Sequence, residues 1–168
     1  MLRVSLRVTD APPDRPEWLR ETIRLLADWT TTEREGLLAM VGGAADQDLL
    51  RGTDEEWGLG QIATHLLIVE RGVTGIGLRL ATGAAPGPTG QPRPDAAAVT
   101  RAGIASLAGK AAATSERLRA EFPGVPDMTA RARHPYYGDL NCFGWLLMLP
   151  IHYKAHLAAL SAGRPSAL

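Results

Sequence analysis

The chain has 168 residues, 18 basic and 18 acidic side chains, and one cysteine. That is the length of one domain, and a 45% hydrophobic content with only 5% aromatics calls for a core of Leu, Ala, Ile and Val. Balanced charge without a basic block argues against a nucleic-acid surface. No apolar run approaches the roughly 18 residues of a membrane span, and the start, MLRVSLRVTD, lacks the apolar stretch of a signal peptide. A lone Cys142 rules out an internal disulfide framework and fits a reducing, cytoplasmic setting.

Val4, Leu6 and Val8 alternate with polar residues near the start. With no partner strand in view, an extended arm over residues 1–13 is expected. Asp14 opens a capping-box spacing, Asp-Arg-Pro-Glu, and predicts a first helix from about Pro16 to Val41. Trp18, Ile23, Leu26, Trp29, Leu37 and Met40 mark its apolar face, Gly42-Gly43 ends it, and Gln47 to Leu50 suit one further turn. A second helix, about Gly58 to Ala81, carries Leu59, Ile62, Leu66, Val69, Val73, Ile76 and Leu80 with His65 beside them. Gly72, Gly75 and Gly77 lower its helix propensity and suggest the close approach of a neighbouring backbone.

Thr82 to Pro94 is too rich in Gly and Pro for regular structure. Extended, it reaches about 40 Å, enough to return along a helix and set the second and third helices parallel. The third helix is predicted from about Asp95 to Phe122, anchored by Val99, Ile104, Leu107 and Leu118 and stopped at Pro123. Asp139 is the predicted N-cap of a fourth helix running to about Ala162, with Gly163 beyond. The reading is an all-α four-helix bundle in one domain spanning 1–168, without a sheet, in up-down-down-up order.

Chemistry centres on the fourth helix. His152 and His156 lie four apart, so their imidazoles stack on one helix face. Trp145, Leu149, His152, His156 and Ala159 continue one inward stripe. Two such imidazoles can share one metal ion if a third ligand comes from elsewhere, and they can equally be partly buried histidines satisfied by backbone or water. His65 is the histidine set in a second apolar helical segment. The intervening Tyr-Lys-Ala lacks the glutamate of a zincin-type protease.

Two segments carry a family resemblance. Trp57-Gly58 followed by His65-Leu66 resembles the W-S-x-x-x-x-x-x-H-L segment of DinB-like four-helix proteins. His134, Pro135, Gly138, Leu140, Trp145, His152 and His156 resemble that family's H-P-x-x-G-x-L … W … H-x-x-x-H. The resemblance covers roughly residues 16 to 162 and implies a three-histidine site of His65, His152 and His156. The implied cofactor is a divalent metal, zinc or nickel first, with iron, manganese or copper also compatible with imidazole. Family activities include transfer reactions of low-molecular-weight thiols. The resemblance therefore implies a small-molecule substrate, thiol-dependent S-transfer or hydrolysis, and a homodimer. Two positions depart from the family: Gly58 replaces Ser, a tolerable change at an N-cap, and Ala159 stands where many members carry Gln, which places activity more than metal binding in question.

Other candidates stand beside the triad. Gln61 is placed either to hydrogen-bond a metal-bound water or to face solvent. Glu70, five residues past His65, points off that face, as an outer contact or an inter-helix acid. His134 suits fixing the loop into the fourth helix, and Trp57 a hydrophobic plug. Cys142 lies about 15 Å from His152 along a helix and suits a small buried apolar role. Pro150 removes a helix hydrogen bond just before His152. Three readings follow: a metal-dependent enzyme, a metal-pinned bundle without catalysis, and a dimeric interaction module with core histidines. If the histidines hold an ion, protonation near 6.5 should release it, and the bundle should fold without it.

Overall fold

The computed structural model describes residues 15–163. Its elements are α1 (Arg15–Gly43), α2 (Asp46–Leu49), α3 (Leu59–Ala81), a 3-10 turn (Ala96–Ala98), α4 (Arg101–Glu121), β1 (Ala132–His134), β2 (Gly138–Leu140) and α5 (Cys142–Ser161). Helices α1, α3, α4 and α5 form the expected four-helix bundle. The arm proposed for residues 1–13 lies outside the described residues.

Side-chain neighbours give the helix directions. Ile23 of α1 and Leu146 of α5 share one apolar cluster with Leu118, and Gly36 sits against Leu157 farther along both helices. Thus α1 and α5 run the same way. Gly60, at the start of α3, meets Val99 just before α4. Late in α3, Val73, Ile76 and Leu80 pack with Cys142 and Trp145 at the start of α5. So α3 and α4 are parallel to each other and opposed to α1 and α5, which is the up-down-down-up order. Arg101, the first residue of α4, caps the far end of α1: its guanidinium donates to the Val41 and Ala44 carbonyls, both at 2.8 Å.

Two helix starts differ from expectation, and a small hairpin is added. Asp95 caps only the short 3-10 turn, accepting from Ala97 N; α4 begins six residues later, where Thr100 Oγ1 accepts from Gly103 N. Asp139 is not a helix cap but a strand residue opposite Arg133 in a two-stranded hairpin, against the expectation of no sheet. Gly138, at φ +74°, closes that hairpin in a conformation favouring glycine. Asn141 is the N-cap of α5, its Oδ1 accepting from Gly144 N at 2.9 Å. The helix then continues unbroken through Pro150.

The α3 glycines also differ. Gly72 has open space around it, and Gly75 meets only the tip of Arg79. Gly77 makes room for the Leu146 side chain, which would lie 2.8 Å from a Cβ at that position. Close backbone approach occurs instead at the start of α3, where a Cβ on Gly58 or Gly60 would overlap the carbonyls of Arg51 and Leu49.

Candidate metal centre

His65 stands on the second turn of α3, and His152 and His156 on successive turns of α5. Because α3 and α5 are opposed and in direct contact, the three imidazoles converge. One ligand atom from each lies within 4.8 Å of the others, and these three residues could hold a metal ion. His65 Nε2 and His152 Nε2 are 3.0 Å apart. Two nitrogens bound tetrahedrally at zinc–imidazole distances would lie roughly 3.3 Å apart, so the His65–His152 pair matches such an ion closely, and the ligand atom of His156 lies within 4.8 Å of both.

The crossover segment orients the first histidine. His65 Nδ1 lies 2.8 Å from the Pro92 carbonyl, an oxygen that can only accept, so Nδ1 carries the proton and Nε2 presents its lone pair to the cluster. One helical turn earlier, Gln61 Nε2 donates to the Pro94 carbonyl at 3.2 Å. An extended chain rises about 6.6 Å over two residues and a helix about 6 Å over four, so alternate carbonyls match successive turns. Pro92 and Pro94 restrain that path through their fixed φ.

Burial governs the charge of the centre. His65 and His156 are buried and His152 is half-buried. Desolvation, reinforced by the neighbouring imidazoles, depresses His152 to about 3 and His156 to about 4. Desolvation also lowers His65, partly opposed by its bond to Pro92. The cluster is therefore neutral at physiological pH, the state that ligates metal. The expected release of an ion near 6.5 moves to a lower pH.

A cavity of about 360 Å³ opens beside the histidines, between α3 and α5 and beneath the hairpin and the crossover. Ala159, one turn past His156, faces it, so this position adds volume where a glutamine would add a polar group. His134 does hold the hairpin turn, its Nδ1 accepting from Tyr136 N at 3.2 Å. It also forms the cavity wall, with ring centroids 4.9 Å from Trp145 and 5.0 Å from Tyr137. Trp57, which does not line the cavity, packs on His65 with ring centroids 5.0 Å apart, consistent with a plug.

The remaining candidates fall away from the histidine cluster. Gln61 neither faces solvent nor reaches the cluster: it is buried, with Oε1 accepting from Gly58 N and Nε2 held by the Thr53 and Pro94 carbonyls. Glu70 is an inter-helix acid rather than an outer contact of the centre. Fully buried, it accepts from Tyr153 Oη at 2.7 Å and Ser115 Oγ at 3.0 Å and pairs with Arg34. Cys142 is a buried thiol at the start of α5, pushed up in pKa by desolvation. Sequence reasoning missed Arg34, Ser115 and Tyr153. A signal existed for Tyr153, a phenol in the apolar face of a helix that needs a buried partner.

Among solved structures, the chain is similar to TT2238, described as a four-helix bundle protein. The match has a TM-score of 0.62 and 23% identity, covering 83% of this chain and 98% of the other. No family model and no curated protein matches the chain. No described helix is long and apolar enough to cross a membrane. The shared property is the fold, a four-helix bundle, and on it this chain gathers three histidines that could bind a metal ion.

Proposed function

We propose that the chain is a metal-dependent enzyme of the DinB-like type, with His65, His152 and His156 as ligands to zinc or nickel, and that it performs thiol-dependent S-transfer or hydrolysis on a small molecule. The observation that carries this reading is a three-donor imidazole cluster at the edge of a cavity of about 360 Å³. Structural zinc sites fill four positions with protein ligands, whereas catalytic sites keep one open. A divalent cation, when bound, supplies Lewis acidity that holds a thiol or water deprotonated at neutral pH.

The chain's own residues contribute orientation and exclusion. Pro92 sets the tautomer of His65, Trp57 closes one side of that imidazole, and the hairpin covers the cavity. Burial keeps all three rings unprotonated. The alternative is an ion that only ties α3 to α5; the cavity beside the histidines favours the enzyme, because a purely structural site has no use for access.

Two measurements test the proposal in sequence. Elemental analysis should find one divalent ion per chain in the wild type and none in the variant with all three histidines changed to alanine. Equal metal content in both would remove the metal reading. The metal-loaded protein should then consume a low-molecular-weight thiol in the presence of an electrophile, and chelation should abolish this. Bound metal without thiol-dependent or hydrolytic turnover would leave the structural alternative.

A further inference from the structure

The cavity has a chemical character of its own. Besides the histidines, its walls are Val69, Val73, Met148, Leu149 and their neighbours; its polar groups include Thr89, Gln91 and two tyrosines near the mouth. None of the residues that line it is Asp, Glu, Lys or Arg. This is notable in a chain with 21% charged residues. An ionised group taken into such a space would lose its hydration and find no counter-charge, a strongly unfavourable exchange. The one place able to host an anionic atom is the histidine end, once a cation sits there.

One wall is aromatic. Trp145 is buried, His134 lies against it, and Tyr137 continues the cluster outward to a position 59% exposed. Tilted rings at about 5 Å leave faces and edges to which a further flat ring can add. Size sets the upper bound: an apolar cavity of about 150 Å³ takes benzene, so about 360 Å³ admits a body of two fused rings.

We infer that the molecule this cavity receives has an uncharged, flat aromatic body, with any ionised or metal-seeking group confined to the histidine end. The inference deepens the functional reading above and rests on it only for that end group; the walls have the same chemistry with or without an ion.

The test uses the full chain with a chelator present, so that the outcome is independent of metal. Three probes share one naphthalene ring: naphthalene-1-methanol, which is neutral, 1-naphthylmethylamine, a cation at pH 7.5, and naphthalene-1-sulfonate, an anion. Titration calorimetry should show the alcohol binding at least tenfold more tightly than either charged probe. The alcohol should also shift the Met148 methyl resonance. Ala155→Trp, on an exposed position of α5 that borders the cavity, should weaken the alcohol at least tenfold. Equal or tighter binding of a charged probe would overturn the inference. So would alcohol binding that leaves the Met148 methyl unmoved, whatever the variant does. Equal metal content in the wild type and the triple-alanine variant would instead strike the functional reading and leave this ranking standing.

Discussion

Tyr153 donates its hydroxyl hydrogen to Glu70 Oε2 at 2.7 Å, and it does so from the position directly after His152 and three before His156. The phenol and the two imidazoles are thus set by one turn of one helix. Arg34 from α1 and Ser115 from α4 complete the contacts to the same carboxylate. Each of the four long helices contributes one side chain, so the network determines the rotation and height of α5 that the histidines inherit.

Removing parts of this network should have graded effects. Tyr153→Phe deletes one hydrogen bond to a charged acceptor and should lower stability by about 1.5–3 kcal/mol. Glu70→Gln leaves the buried Arg34 guanidinium without its counter-charge and should cost about 3–5 kcal/mol. Urea denaturation of both variants checks the order; a smaller loss from Glu70→Gln than from Tyr153→Phe would contradict it.

Two glycine substitutions should move stability in opposite directions. Gly58→Ala drives a methyl into the Arg51 carbonyl and should cost about 1–3 kcal/mol. Gly72→Ala adds a methyl in open space on an exposed helical position and should stabilise by about 0.4–1 kcal/mol. Thermal melts of the pair read both signs at once. The first result also explains Gly58 as a position where serine has no room.

The histidines should make the chelated protein sensitive to mild acid. In the unfolded chain each takes a proton near 6.5, whereas the folded chain holds His152 at about 3 and His156 at about 4. Between those limits the unfolded state binds more protons, so this stability is complete above 6.5 and is lost as pH falls. From pH 7.5 to 5.5 the two together should remove up to roughly 3 kcal/mol. The shifted carboxylates, with ordinary values of 3.8 to 4.5, titrate below this window. Urea midpoints at the two pH values check this, and the triple-alanine variant should reduce the difference to the part contributed by His134, which desolvation also lowers.

Metal stabilisation should behave differently from what free imidazole suggests. The chelated chain should be folded, and an ion at a thousandfold excess over its dissociation constant should add about 4 kcal/mol. Since folded His152 and His156 stay unprotonated at pH 5.5 and desolvation lowers His65 as well, that increment should outlast the ordinary imidazole range, persist at pH 5.5 and be lost by pH 4 and below. Melting curves with and without zinc at pH 7.5, 5.5 and 4 test it. An increment already gone at 5.5 would show that the folded imidazoles protonate near their ordinary value.

The helices and the histidine face were legible because both follow from periodicity. Leu59 to Leu80 repeats at helical spacing, and His152 and His156 continue the stripe of Trp145 and Leu149. The hairpin was not, since strands of three residues leave no alternation to detect, and Asp139 mimics a cap two residues before the true one, Asn141. Asp95 misled for a similar reason: it does cap a turn, but a 3-10 turn that ends before α4. The roles of Gln61 and Glu70 depend on Pro94, Arg34, Ser115 and Tyr153, residues from 33 to 83 positions away. No local pattern encodes such meetings.

The bond between His65 and the Pro92 carbonyl has a genetic consequence. Its acceptor is a main-chain oxygen, present whatever amino acid occupies that position, so no single side-chain replacement in the crossover deletes the atom that aims this imidazole. A change in segment length does, because one residue inserted or lost between Pro92 and Pro94 would break the match of alternate carbonyls to His65 and Gln61. The orientation of the first histidine is thus insulated against point mutation and vulnerable to insertions and deletions, the reverse of what is usual for a surface connection.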